Sequence, residues 1–188
     1  MYKKMFEEYQ PYNEQEAKDK ELIVSFIRNN VDVLDRENLA AHITASAFVV
    51  NQEMDKILFV YHKIYDSWSW VGGHNDGDPD LVKVAIKEAK EETGIEDVEP
   101  ISESIFTIDV IYVPNHIKKG KYVPDHLHLN AAFLLIADEN QNLVVNEQET
   151  SGVRWFKISE VLDYVSEPRM KPVYLKAFAK IEAIRNGQ

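Results

Sequence analysis

The sequence contains no cysteine, which excludes disulfide bonds, thiolate zinc sites and cysteine nucleophiles. It also lacks long hydrophobic runs, since no stretch approaches the roughly 18 consecutive apolar residues that a membrane-spanning helix needs. Residues 1–20 have no apolar core of the kind found in a signal peptide. We therefore expect a cytoplasmic protein that is not anchored in a membrane.

Positive charge is scarce, with 21 Lys and Arg against 32 Asp and Glu and a formal net charge of −11. Neither nucleic acid nor an anionic membrane surface is an expected partner of so acidic a chain. An anionic substrate would require metal ions or a few well-placed cationic side chains. One concentrated basic segment, residues 115–122 with Lys118, Lys119 and Lys121, suits a phosphate contact, although a solvated loop has the same composition.

The hydrophobic pattern predicts an α/β (α+β) fold with a mixed sheet. The 188 residues, 45% of them hydrophobic, suffice for one compact domain with an additional element. We predict a helical extension over residues 1–40 and the main domain over residues 41–188. The predicted strands cover residues 43–50, 56–62, 104–113, 127–137, 143–145 and 153–156, and the predicted helices cover residues 14–30, 33–39, 79–93, 158–165 and 171–184.

The helix over residues 79–93 has clear predicted limits. Asp78 is a plausible N-cap, Pro79 suits the first helical position, and Gly94 suits the C-terminal cap. Its apolar stripe lies roughly 100° around the helix from the acidic cluster near its end. One flank is therefore expected to pack on the sheet while the other faces a cleft.

The acidic cluster consists of Glu88, Glu91 and Glu92. In a helix their spacing of three and four residues places them on one face. Like charges at this spacing cost a bare helix roughly 0.2–0.5 kcal/mol per pair. A hard cation such as Mg²⁺ converts the repulsion into a binding site, because it prefers carboxylate oxygens and keeps waters for phosphates.

The segment from Gly73 to Ile95 resembles the Nudix box, G-x5-E-x7-R-E-U-x-E-E-x-G-U, in which U is aliphatic. Gly73 takes the position of the leading glycine, and Glu88 that of the first metal-binding glutamate. The glycine pair at the correct distance from the glutamates makes the resemblance specific. It implies a Nudix-type α/β/α sandwich of helices around a mixed sheet.

The box departs from the family pattern at several positions. Lys87 replaces the family arginine and Ala89 an aliphatic residue. Pro79 stands where glutamate is usual, and the nearest equivalent turn, Gly77-Asp78, comes one residue early. Lysine keeps the charge but lacks the planar guanidinium that holds a carboxylate with two hydrogen bonds. We expect Lys87 to orient the glutamates.

The resemblance implies a hydrolase that cleaves a nucleoside diphosphate linked to another moiety, or a related diphosphate, by attack of water on phosphorus. Mg²⁺ is the implied cofactor, and Mn²⁺ is an alternative. Glu88 and Glu92 correspond to the principal metal ligands, Glu91 to a further or water-mediated ligand, and Gly72 to a ligand through its carbonyl oxygen. Many family members take a base from a later loop, and here Glu149 is preferred over Glu147.

Four residues are candidates for substrate binding: Gly73, His74, His126 and His128. His126 and His128 share one face of a predicted strand, so they could converge on a phosphate or a metal ion. Histidines that serve only the structure of an edge strand would give the same pattern. His74 follows the glycine pair and could line the site.

Two other functions fit parts of the sequence. A Nudix-fold sensor would bind a nucleotide without cleaving it, although such domains commonly lose box glutamates that this chain retains. Isopentenyl-diphosphate isomerase shares the fold and uses metal and histidines, but its better-known type relies on a cysteine. Dimers are common in the family, and nothing in the sequence decides whether this chain forms a homodimer.

Overall fold

A computed structural model describes residues 1–118 and 120–187, so Lys119 of the basic segment lies outside the described residues. A mixed sheet lies between helices on both faces, which confirms the predicted α/β sandwich. No helix in the described ranges is long and apolar enough to cross a membrane. The helices are α1 Tyr2–Glu8, α2 Glu14–Asn29, α3 Leu81–Thr93 and α4 Lys171–Arg185; the strands are β1 Ala41–Val50, β2 Lys56–His62, β3 Ser67–Ser69, β4 Val71–His74, β5 Val98–Pro100, β6 Thr107–Val113, β7 His116–Lys118, β8 Lys121–Val123, β9 His126–Ala137 and β10 Thr150–Lys157.

Strand β1 is the centre of the sheet and is buried along its whole length. It pairs in parallel with β9 and antiparallel with β2 and β4. Alternate residues of a strand point to opposite faces, so β1 and β9 contribute to two cores. Helices α1, α2 and α3 close one core and α4 closes the other.

Helix α3 begins two residues later than the sequence predicted. Its N-cap is Asp80, whose carboxylate accepts a hydrogen bond from the Lys83 N–H at 3.1 Å. Asp78 instead accepts from the Asp80 N–H at 3.0 Å. Asp78 thus lies in the turn before the helix, where its carboxylate also accepts a hydrogen bond from Lys83 Nζ at 3.0 Å. The predicted cap at Gly94 is confirmed, with φ of 77° in the left-handed region that favours glycine.

Three short predicted elements were wrong. Residues 33–39 form turns rather than a helix, residues 143–145 form no strand, and residues 158–165 contain only a 3₁₀ turn, Val161–Asp163. Val144 is held by a single hydrogen bond from its N–H to the Thr93 carbonyl, 2.8 Å. Apolar runs this short do not by themselves distinguish a helix or strand from a turn.

Buried ion pairs connect the N-terminal helix α2 to α4 and β6. Lys176 Nζ lies 3.0 Å from Glu16 Oε1 and 2.7 Å from Asp109 Oδ1, and all three side chains are almost fully buried. The Tyr9 hydroxyl donates to the other Glu16 oxygen at 2.6 Å. This segment therefore packs against the sheet, and the division of the chain at residue 40 stays a prediction.

Candidate functional site

The C-terminal half of α3 lies against the glycine pair of β4. Glu92 is buried, and its Oε2 accepts a hydrogen bond from the Gly72 N–H at 3.1 Å. The Glu88 carboxylate occupies the space beside Gly73, where an added Cβ would lie 2.5 Å from its Cδ. Only a residue without a side chain leaves room for Glu88 there. The structure thus brings the glycine pair at the start of the box against the glutamates near its end.

Burial leaves these carboxylates poorly solvated. It raises the pKa of Glu92 to about 8, and the nearby charges of Glu88, Glu149 and Glu91 add to the effect while the Gly72 N–H opposes it. Burial also raises the pKa of Glu88, which the charge of Lys87 partly offsets. Crowded, desolvated oxygens with too little compensating positive charge form a donor set that fits a hard divalent cation.

Lys87 lies beside two of the three glutamates. Its Nζ is 3.7 Å from Glu88 Oε1 and 3.4 Å from Glu91 Oε2. The lysine side chain is 59% exposed and that of Glu91 54%, so each ion pair is weak. This position suits the predicted orienting role, because the ammonium group lies within ion-pair distance of both carboxylates.

Glu149 and two cationic residues flank the glutamates. The charge of Glu149 raises the pKa of both Glu88 and Glu92, so it lies near both. Lys118 Nζ is 3.6 Å from Glu149 Oε1. Arg36 makes two hydrogen bonds to Asp76, at 2.6 and 2.5 Å, and the charges of Glu149 and Glu88 add to the rise in its pKa. Sequence reasoning missed Arg36, which lies in a turn without a recognisable motif.

Four histidines meet on one face of the sheet. The rings of His42, His74 and His128 lie with centroids 5.0 Å apart in every pair. The ring of His126 lies next to them, with its Nε2 3.2 Å from His128 Nε2. Burial lowers the pKa of His42, His74 and His128. The predicted shared face of His126 and His128 is confirmed.

Sequence reasoning missed His42. It is the second residue of β1 and stands opposite His128 of β9. Thr44, two residues later, stands opposite His74 of β4. The only available signal was an isolated histidine at the start of a buried strand. Strand pairing between distant segments, which a single sequence does not reveal, creates the cluster.

The family model of the NUDIX domain matches residues 40–177. The chain therefore belongs to the NUDIX family. This membership confirms the predicted class of enzyme, a hydrolase acting on phosphoric anhydride bonds. Comparison with curated proteins found no match.

Solved structures show the same fold. A NUDIX-family hydrolase from Clostridium perfringens is 18% identical, with a TM-score of 0.56 over 76% of this chain and 97% of that chain. A C. elegans Ap4A hydrolase is 16% identical, with a TM-score of 0.55 over 78% of this chain and 98% of that chain. An E. coli dihydroneopterin triphosphate pyrophosphohydrolase is 13% identical, with a TM-score of 0.54 over 78% and 96%. At these identities the likeness is one of fold.

Proposed function

We propose that this protein is a metal-dependent pyrophosphohydrolase that cleaves a nucleoside diphosphate linked to another moiety, or a related diphosphate, by attack of water on phosphorus. The observation that carries the proposal is the packing of the Glu88 and Glu92 carboxylates against Gly72 and Gly73. Two proteins of the same fold are named for substrates of this general kind, Ap4A and dihydroneopterin triphosphate. Their names support a substrate class and leave the particular substrate open.

Mg²⁺, or Mn²⁺ in its place, is the proposed cofactor. Glu88 and Glu92 would be its principal ligands, Glu91 a further one, and the Gly72 carbonyl a backbone ligand. Such an ion holds the diphosphate, lowers the pKa of a bound water and neutralises charge that develops on the phosphoryl oxygens. The buried carboxylates supply the negative charge that a divalent ion needs in an interior site.

Residues around the glutamates have separate proposed roles. Glu149 would accept the proton of the attacking water, since its charge acts on both Glu88 and Glu92 and its side chain is partly exposed. Lys87 would keep Glu88 and Glu91 in position. The cationic side chains of Lys118 and Arg36, which interact with the charges around the glutamates, would contact phosphate oxygens of the substrate. The proposed substrate-binding residues on β4 and β9 are Gly73, His74, His126 and His128.

The experiment that tests this function is product analysis with a panel of nucleotide-linked diphosphates and diphosphate-containing nucleotides. The purified chain is assayed with Mg²⁺, with Mn²⁺ and with EDTA. We expect turnover of at least one compound with metal and none with EDTA. Absence of turnover by a folded protein at saturating metal would contradict the proposal, and tight nucleotide binding in that case would indicate a sensor.

Replacing Gly73 with alanine should impair metal activation more than stability. The new Cβ would lie within 2.9 Å of both Glu88 carboxylate oxygens, so this side chain must move away from the other glutamates. We expect the Mg²⁺ concentration for half-maximal rate to rise about tenfold or more, because disturbing the surroundings that hold a metal ligand in place typically costs 10–100-fold in metal affinity. Measuring the rate against Mg²⁺ concentration checks this.

Gly77→Ala provides the contrasting control. Its added Cβ would meet no atom within 4 Å, but its φ of 87° strains an alanine, at a cost of roughly 1 kcal/mol. We expect this variant to lose some stability and to keep its response to Mg²⁺. Equal changes in metal response for both variants would show that the gap beside Glu88 has no special role.

A further inference from the structure

The histidine cluster lies on the opposite face of β4 from the glutamates. The missing Cβ of Gly73 points at Glu88, whereas that of Gly72 points at Ser46 on the other face of the sheet. His74 is two residues from Gly72 in the same strand, so it shares the Ser46 side. His42 and His128 occupy this side as well. The cluster is therefore separate from the proposed magnesium site. The two sites are linked through β4, in which Gly73 borders Glu88 and the next residue, His74, belongs to the cluster.

Hydrogen bonds fix which nitrogen of His42 is free. Its Nδ1 lies 3.0 Å from the Asn38 carbonyl oxygen, and because a carbonyl only accepts, this nitrogen must carry the proton. Nε2 of the neutral ring is then an unprotonated acceptor. His42 is only 3% exposed, and its Nε2 is buried with no hydrogen-bond partner among the described residues. A buried lone pair without a partner is costly in the absence of a ligand.

His126 supports the cluster in a similar way. Its Nδ1 lies 2.8 Å from the Pro124 carbonyl oxygen, so its Nε2 is free to accept from His128 Nε2 at 3.2 Å. Metal-binding histidines usually donate their other N–H to a carbonyl or carboxylate, which fixes ring orientation and tautomer. His42 shows this arrangement, and His126 braces the ring of His128.

We propose that His42, His74 and His128 form a second metal site, one for a borderline transition ion of the zinc type. One nitrogen from each ring lies within 4.8 Å of the others. Nitrogens bound to one tetrahedral zinc ion lie roughly 3.3 Å apart, given bond lengths of about 2.0–2.1 Å, so modest ring rotations close the site. Neutral imidazoles suit zinc, cobalt, nickel and iron rather than Mg²⁺.

Three histidines leave a coordination position open, as in catalytic zinc sites. Three neutral ligands also leave the full charge of the ion uncompensated, so an anionic oxygen of a ligand would bind there. Arg36 and Lys118 add positive potential, since the charges of both act on His74. The second site is thus suited to an ion that holds a phosphate or carboxylate group of a bound molecule.

Metal titration of the full chain tests the site independently of hydrolysis. The protein is stripped with EDTA, saturated with Mg²⁺ to fill the glutamate site, and titrated with Co²⁺ by absorption spectroscopy and with Zn²⁺ by calorimetry. We expect one tightly bound ion that excess Mg²⁺ does not displace. His74→Ala should weaken binding about 100-fold, and His42→Gln, whose amide can still donate to Asn38, serves as a second variant.

Two controls make the result decisive. His62→Ala removes a histidine outside the cluster and should change affinity less than twofold. Glu92→Gln removes a glutamate ligand and should leave Co²⁺ and Zn²⁺ binding intact. Absence of a bound ion in the presence of Mg²⁺, loss of binding in Glu92→Gln, or unchanged binding in the His74 variant would each overturn the proposal.

Discussion

Glu92→Gln is expected to reduce hydrolysis by about a thousandfold or more and, at the same time, to make the metal-free protein more stable. The loss of rate follows because glutamine cannot supply the negative charge that a divalent ion needs, and such ions lower barriers by several kcal/mol. The gain in stability follows because Glu92 is buried close to other carboxylates. Glutamine has the same shape and can still accept from the Gly72 N–H.

The stability gain depends on pH in a defined direction. The pKa of Glu92 is raised from 4.5 to about 8 in the folded protein, so the folded state holds its proton more tightly than the unfolded chain. Stability from this group is complete below pH 4.5 and is lost as pH rises towards 8. At pH 7 the glutamine variant should therefore be about 1–3 kcal/mol more stable without metal, and near pH 4 the difference should vanish.

Urea unfolding in EDTA at several pH values, together with rate measurements, checks both parts of this prediction. Saturating Mg²⁺ should reverse the order of stability, because only the wild-type protein gains the binding free energy of the ion. Glu91→Gln is the matched control for stability, since its side chain is 54% exposed and should change the free energy of unfolding little. A less stable Glu92→Gln protein in EDTA at pH 7 would contradict the argument.

Lys176→Met should destabilise the protein by about 3–5 kcal/mol. The substitution keeps much of the packing of α4 but leaves the carboxylates of Glu16 and Asp109 buried without their cation. Removing one partner of a buried ion pair has a cost of this size because the other charge stays uncompensated. Urea unfolding at pH 8 measures the loss.

The same variant should recover part of its stability in acid. Burial raises the pKa of Asp109 to about 6 even with Lys176 present, and losing the lysine raises it further. A raised carboxyl pKa means that stability is lost as pH increases through it, so the defect should be smaller at pH 5 than at pH 8.

Two further proteins isolate the buried charge as the cause. Adding Glu16→Gln and Asp109→Asn to Lys176→Met should restore much of the stability at pH 8, since the two carboxylate charges that Lys176 compensated are then removed. Lys18→Met removes a lysine from an exposed pair, with 68% of each side chain accessible, and should cost less than about 1 kcal/mol. If neither low pH nor the added substitutions reduce the stability loss of Lys176→Met, the loss arises from packing and the buried charge is not its cause.

Much of the glutamate site could be predicted because it lies within one continuous segment. Helical periodicity places Glu88, Glu91 and Glu92 on one face wherever the helix packs. Gly94 marks the end of the helix, and the strand pattern before it shows that the helix follows a strand and a glycine loop. The start of the helix was predicted two residues early, because Asp78 and Asp80 are both suitable N-cap residues and the sequence alone does not choose between them.

Contributions from distant parts of the chain were harder to predict. Arg36 lies within a segment whose apolar residues suggested a helix. Its pairing with Asp76 depends instead on a turn, in which the Gly77 N–H donates to the Leu34 carbonyl at 3.1 Å. Glu149 was chosen from its order in the chain, and the structure places it near the glutamates. Its role as the base stays a prediction.

The sequence by itself determined the Nudix box, the shared face of its glutamates and the longer strands and helices, because local spacing and turn chemistry encode them. Only the tertiary structure decided that Glu92 is buried, that Gly73 makes room for Glu88, and that His42 meets His74 and His128. Those features depend on the pairing of β1 with β4 and β9. Which distant strands pair is decided when the faces of the whole sheet are buried together, and the local sequence of a single strand does not specify its partner.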